Sequence, residues 1–260
     1  MRQDNSAFEQ SVRRAQAGFA SLPDQALTEI AKLALTRVAQ ARDGDTAAAN
    51  AIVAGALLDA LLSDELNAAQ DYVEKLTRSG VTREVIYLDH LPEVARRLGV
   101  LWEEDTLSLL DVTTAMARLQ SVVRHLAAPA FEEQPRAGLE AIFAVAPGET
   151  HTLGVRIATN LFRELGWDIT LLLGLEHEEL VEQIKSHPAH LLGLSAGGET
   201  VAPALTALVI SLRMARPDLR IIICGQVVEC APALIDAVLP DGAAIEFEDA
   251  KTQLESFVHA

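Results

Sequence analysis

The sequence predicts an α + α/β protein: an N-terminal helical bundle followed by a flavodoxin-like, doubly wound, five-stranded parallel sheet. Two observations carry this. From the start to about residue 128, apolar residues recur at helical spacing and no convincing strand interrupts them. After a polar stretch, EEQPRAG at 132–138, the pattern changes to short continuous apolar runs alternating with amphipathic ones.

In the first half, LPDQALTEIAKLALTRVAQA reads as a helix with Pro23 and Asp24 at its start. AAANAIVAGALLDALLS is a second. NAAQDYVEKLTRSG is a third and stops on Ser79-Gly80. TREVIYLDHLPEVARRLGVLW follows, with a break or kink expected at Pro92. DTLSLLDVTTAMARLQSVVRHLAAPA is the longest, at about six turns. EEQPRAG, with Pro135 and Gly138, reads as a linker.

In the second half, the runs 139–146, 168–173, 189–195 and 219–224 are buried strands. A weaker fifth strand is expected at 243–248, and helices at about 152–165, 176–186 and 200–215. Right-handed crossovers then cover both faces of a parallel sheet. Ligands of such sheets sit outside the carboxyl ends of the strands. GETHTLG (148–154), Ser195 and Cys224-Gly225 all fall at that edge, although far apart in sequence.

Composition narrows the function. Half the residues are apolar, 4% are aromatic, and the net charge is −16. So acidic a surface repels phosphate backbones, so direct nucleic-acid binding is not expected. The polar start, MRQDNSAFEQ, lacks a signal-peptide core, and AIVAGALLDALL is interrupted by Asp59. A cytoplasmic protein off the membrane is the expectation. Two cysteines, Cys224 and Cys230, make no disulfide framework. Phosphate loops, nucleophile elbows and dinucleotide fingerprints are missing, and no enzyme activity is expected.

His151 is a lone imidazole at a strand-to-helix junction, with Glu149 two positions before it. It reads either as an ordinary loop histidine or as a metal ligand. A carboxylate behind a ligating imidazole fixes its tautomer. A single imidazole falls short of a zinc site, which needs three or four ligands. It suits a metal already held by a macrocycle, which needs only axial ligands.

The motifs Glu149-Thr150-His151-Thr152-Leu153-Gly154, Ser195-Ala196-Gly197 and Cys224-Gly225 resemble the cobalamin-binding domain of corrinoid proteins. The family pattern is Asp-x-His-x-x-Gly, then Ser-x-Leu, then Gly-Gly. The resemblance implies that His151 is the lower cobalt ligand, and that a displaced nucleotide tail threads into the domain. Three departures stand out. Glu149 replaces the aspartate. Gly197 replaces leucine, which would widen the pocket. Cys224 replaces a glycine, which would crowd the tail.

LWEEDTLSLLDVTTAMARLQ (101–120) resembles the four-helix cap of cobalamin-dependent light sensors, which lays a tryptophan near the upper cobalt ligand. Trp102 fits that place, with Val112 and Thr113 where the carotenoid-gene repressor type carries Glu-His. On local sequence alone Trp102 reads as a bundle-core residue. The stretch is similar to the PpaA/AerR antirepressors of purple photosynthetic bacteria, and to the heme-binding C-terminal relative in the AppA blue-light sensor. The resemblance covers roughly residues 25–250. It implies an N-terminal helical extension (1–45), a four-helix-bundle cap (46–131) and a cobalamin-binding Rossmann-like domain (139–260). The implied cofactor is cobalamin, adenosyl- or hydroxo-; the implied partner is a DNA-binding transcription factor, with no direct nucleic-acid contact. Homodimerisation stays open. Heme or biliverdin on the same rim, motivated by Cys224, a corrinoid methyl-carrier role, and a pure interaction module with a vestigial ligand site are the alternatives.

Other residues read as structural. His177 lies in the acidic first turn of a helix. His187 and His190 are turn residues, and Cys230 is expected to be buried packing. His90 and His125, on first-half helices, are candidates for the upper face of a tetrapyrrole.

Overall fold

The computed structural model describes residues 49–127 and 139–258. The chain divides into two compact units, Met1–Val53 and Ala54–Ala260. Of the first, only residues 49–53 are described, and they are helical. The predicted helix at the N-terminus and the linker at 132–138 lie outside the described residues.

The second unit opens with four helices: α1 (residues 54–62), α2 (Ala68–Arg78), α3 and α4 (Leu109–Ala127). Helix α3 runs through Arg83–Val85, a π-helical stretch Ile86–His90, and Leu91–Glu103. The chain stays helical through Pro92, so the expected break does not occur. A proline cannot donate to the ladder and its ring crowds the preceding turn. Here the wider π turn comes just before it, with the Leu91 N–H bonding the Ile86 carbonyl, and the helix continues. Leu57, Leu61, Val73, Leu98, Leu119 and Val122 pack the centre of the bundle at 0–1% exposure.

Five parallel strands follow: β1 (Glu140–Val145), β2 (Asp168–Leu172), β3 (Leu191–Ser195), β4 (Arg220–Cys224) and β5 (Gly242–Ala244). Their order is β2-β1-β3-β4-β5, the predicted flavodoxin-like arrangement. The connecting helices are α5 (Leu153–Glu164), α6 (His177–Ser186), α7 (Ala202–Ala215), α8 (Val227–Cys230), α9 (Pro232–Val238) and α10 (Phe247–Val258). Alternate strand residues feed two cores. Ile142, Leu192, Leu194, Ile221 and Ile223 face α6 and α7. Phe143, Val145, Ile169 and Ile222 face α5 and α10. Burial of both faces is why these strands read as unbroken apolar runs.

Two expectations change, and two short helices are added. The fifth strand ends at Ala244 and not near 248, because Phe247 turns inward to stack edge-on against Phe162, with ring centroids 5.2 Å apart, and starts α10. The short helices α8 and α9 carry no periodic signal long enough to announce them. Cys230, expected to be buried, is exposed, since four-residue α8 buries only Val227.

The bundle core does not stop at the bundle: Ile157 and Leu161 of α5 belong to it. Buried Asn160 also donates from Nδ2 to the Tyr87 hydroxyl (3.1 Å) and the Val123 carbonyl (3.2 Å), and Tyr87 itself donates to Val123 (3.4 Å). Arg83 and Glu164 pair at 3.2 Å beside them. Apolar packing sets the contact, and the amide–phenol network fixes its register.

Candidate functional site

The parallel register lines up the strand ends. Val145 is paired with Ser195, Ser195 with Cys224, and Cys224 with Ala244. Two further bonds extend the rim, from the Ala146 N–H to the Ser195 carbonyl (3.1 Å) and from the Ala196 N–H to the Cys224 carbonyl (3.0 Å). The residues predicted to converge on one edge do so.

The loop after β1 closes tightly, with the Glu149 N–H bonded to the Ala146 carbonyl at 3.0 Å. This turns the Glu149 side chain inward, to 2% exposure, and leaves the His151 side chain 85% exposed. Glu149 Oε1 accepts from the His151 backbone N–H at 2.7 Å and meets His151 Nδ1 at 2.7 Å. Oε2 accepts from the Gly197 N–H. Burial alone would push the Glu149 carboxyl up. The N–H groups of His151 and Gly197, together with the His151 ring, outweigh it and hold the group below the usual carboxylate range. A buried carboxylate accepting from Nδ1–H fixes the tautomer and leaves Nε2 as the lone-pair nitrogen of an exposed ring. Glu149 therefore orients and His151 presents.

Gly197 lies beside this pair and not in a cavity wall. A Cβ on Gly197 would sit 2.9 Å from Glu149 Oε2 and 3.3 Å from His151 Nδ1. The glycine makes room for the carboxylate and does not widen the pocket. Thr152 and Leu153 begin α5: Arg156 donates back to the Thr152 carbonyl at 3.2 Å, and Leu153 packs partly into the bundle core.

Beside the rim, between the sheet and the α5 and α10 layer, is a cavity of about 450 Å³. Gly154, Ser195, Cys224 and Gly225 line it together with Phe143, Gly193 and Ile222, and Tyr87, Leu88 and Pro92 of α3 wall one side. Cys224 lines the space without closing it; burial pushes its thiol up to about 12, so it is a neutral wall residue. Gly225 has φ +98°, and a Cβ there would meet the Ala196 carbonyl oxygen at 2.6 Å, so only glycine fits.

Trp102 is 51% exposed and is no bundle-core residue. It sits near the C-terminal end of α3 with Val100, Leu109 and Leu110, all exposed. Val112 is half-buried and Thr113 exposed on α4, with the Thr113 hydroxyl donating to the Leu109 carbonyl at 2.7 Å. The other histidines have local partners. His125 meets Glu74 at 3.0 Å, His177 meets Ser211 at 3.1 Å, His187 meets Thr170 at 2.9 Å and His190 meets Asp218 at 2.7 Å. His90 is buried at 2% exposure. Sequence reasoning missed the α3 wall of the cavity; the proline within a helical pattern was the one available signal.

Among the described residues no group of three or more His, Cys, Asp or Glu side chains could hold a metal ion. A single oriented imidazole is the donor set for a metal that brings its own equatorial ligands. It fits a corrinoid: Nε2 is the lone-pair nitrogen of an exposed ring, and the cavity has room for a tail.

Fold and site together define a helical cap joined to a corrinoid-type doubly wound domain. Residues 139–255 match the B12 binding domain family, and this part of the chain is a cobalamin-binding domain. The chain is 30% identical over 114 residues to an uncharacterized 20.5 kDa protein of the bchF-crtJ intergenic region of Rhodobacter capsulatus, a match covering 43% of this chain and 54% of that protein. The chain thus spans about half the length of that curated relative. Among solved structures it is similar to the monomethylamine corrinoid protein of Methanosarcina barkeri, with TM-score 0.64, 22% identity, 77% of this chain and 96% of that one covered; this likeness is one of fold. A cobalamin-binding protein of Desulfitobacterium hafniense DCB-2 also aligns, with TM-score 0.41 and 19% identity over 80% of this chain and 97% of that one. Among the described residues no helix is long and apolar enough to cross a membrane.

Proposed function

We propose that this protein is a light-responsive cobalamin sensor that acts as an antirepressor, through a DNA-binding transcription factor. The observation that carries the cofactor reading is His151. Its Nδ1 is held by a buried carboxylate, its ring is exposed, and Gly154, three residues on, lines a cavity. His151 would hold the cobalt from below, Glu149 would keep Nδ1 protonated, and the cavity would take the tail. Bound adenosylcobalamin supplies a photolabile cobalt–carbon bond. Trp102, half-exposed on the cap, would meet the bound cofactor, so a change at the cofactor would change what the cap touches.

The regulatory reading is supported by the resemblance of residues 101–120 to the antirepressors and by the bchF-crtJ relative. A net charge of −16 suits a basic DNA-binding domain as partner, for which this chain competes with DNA. A location in the cytoplasm, with the transcription factor, follows from the same reading. The heme or bilin alternative rests on Cys224 narrowing the tail pocket; the thiol lines a cavity of about 450 Å³, which favours the corrinoid.

The test is an absorption spectrum of protein mixed in the dark with adenosyl- or hydroxocobalamin, desalted, then illuminated. Retained corrin bands that change with light for the adenosyl form, and retention that falls in His151→Ala, are expected. Bands that are retained but insensitive to light would leave a corrinoid carrier; colourless protein would overturn the cofactor reading.

A further inference from the structure

We infer that this chain pairs with a second copy of itself through the outer face of α7, as a weak symmetric dimer. The inference is independent of the cofactor. Helix α7, APALTALVISLRMA, carries no carboxylate, alone among the described α-helices. Leu205, Leu208 and Leu212 bury its inner face against the sheet. Its polar side chains are engaged within the chain. The Thr206 hydroxyl donates to the Ala202 carbonyl (2.9 Å), and Ser211 meets His177 (3.1 Å). Arg213 donates to the Leu219 and Leu239 carbonyls and to the Asp241 carboxylate (2.8 Å). What remains outward is Pro203, Ala207, Ile210 and Met214, one stripe by helical spacing. Ile210 is 54% exposed and Met214 81%. A helix apolar on every side belongs inside an assembly.

Leu239 is a second sign. It ends α9 with φ +47°, a position where glycine is the default and a leucine is strained. Its side chain is nevertheless 74% exposed, so a single chain gains little from it. Its carbonyl accepts from Arg213 at 3.2 Å, which places it beside the Met214 end of the stripe.

Charge and shape choose the occupant. Two chains of net charge −16 repel each other, and they meet at least cost where contact buries no unpaired carboxylate. A basic partner gains nothing from this face. The stripe is small at its start, with Pro203 and Ala207, and large at its end, with Ile210 and Met214. An antiparallel copy sets large against small. The stripe runs about 17 Å. That is well short of the about 800 Å² per partner that a stable complex buries, so the dimer is weak. Helix α7 lies across the sheet from α5, on which the bundle packs, so pairing leaves both bundles uncovered.

The experiment is sedimentation velocity of the full chain over a concentration series. Wild type is expected to dimerise reversibly with a Kd of about 10–100 µM, more tightly as salt screens the charge. Ile210→Glu should weaken the dimer at least about tenfold at an unchanged melting temperature. Met214→Lys should weaken it too, although it lowers the net negative charge. Stronger pairing in that variant would mean that charge and not apolar contact governs association, and overturns the inference. Leu239→Gly should weaken the dimer while keeping or raising the melting temperature, because glycine relieves the left-handed backbone. A chain still monomeric at about 0.5 mM overturns the inference, whether the face is then bare or reserved for another protein. So does a dimer that is indifferent to Ile210→Glu.

Discussion

Glu149 and Gly197 are a matched pair. The carboxylate of Glu149 reaches the Gly197 N–H, and a Cβ on that glycine would press against Oε2 at 2.9 Å. The resembled family carries a shorter aspartate and a larger leucine at these two places. One added methylene on one side is offset by a lost side chain on the other. Gly197→Leu alone should cost about 1–3 kcal/mol through overpacking, and displace the His151 ring. Glu149→Asp alone leaves Gly197 without its acceptor. The double variant should recover part of both losses, with a coupling of about 0.5 kcal/mol or more in a chemical-denaturation cycle. Additive costs would show that the two positions do not share one space.

The same carboxylate makes the loop sensitive to acid. The folded protein holds Glu149 below the usual carboxylate range, through the N–H groups and ring that outweigh its burial. A group depressed on folding stabilises fully above its unfolded pKa, and the contribution fades as pH falls through the folded value. Wild type should therefore exceed Glu149→Gln in melting temperature at pH 7, and the gap should shrink below about pH 4. A gap independent of pH would remove the ionised carboxylate from the explanation.

Much of this was legible from sequence. Both-face burial writes a parallel strand as an apolar run, so four strands, their order and the shared rim followed from pattern. The fifth strand was misjudged because Ile245 and Phe247 look like strand residues, yet Ile245 is exposed and Phe247 opens a helix. Glu149 and His151 were visible as a pair, but the role of Gly197 was not: a glycine's meaning depends on which neighbour approaches it. The part played by α3 in the cavity was also hidden, since Tyr87, Leu88 and Pro92 reach it only through the docking of bundle on α5.

The two cysteines should differ sharply in reactivity. Burial pushes the Cys224 thiol up to about 12, while Cys230 is exposed. Thiolate is the reactive form, so at pH 8 Cys224 is almost wholly neutral. Iodoacetamide on the native protein should modify Cys230 and spare Cys224, with both modified after unfolding. Peptide mass mapping reads this directly. Rapid modification of Cys224 would mean that the cavity wall opens on the timescale of labelling.

Asn160 tests whether the cap is held by packing alone. Its amide bridges the Tyr87 hydroxyl and the Val123 carbonyl in a buried contact. Asn160→Leu keeps the volume close and deletes the donors, leaving the 3.4 Å bond from Tyr87 as the side-chain bond to the Val123 carbonyl. The expected loss is about 1–3 kcal/mol by denaturation. Protection of α3 amides in hydrogen exchange should fall with it. A variant as stable as wild type would assign the interface to Ile157 and Leu161.

His90 should set a second acid limit, nearer neutrality. It is 2% exposed, and its Nδ1 has no hydrogen-bond partner. Burial lowers its pKa below the usual imidazole value, only partly opposed by the Asp89 charge. The unfolded chain then binds a proton that the folded chain refuses. Stability from this group is complete above the unfolded value of about 6.5 and is lost as pH falls from there toward the lower folded value. His90→Met replaces the ring with an apolar side chain of adaptable shape and leaves no orphaned nitrogen. It should be neutral or stabilising at pH 7.5, and should flatten the decline in melting temperature between about pH 6.5 and 5. A steeper decline in the variant would mean that the buried imidazole has a partner which holds its charged form.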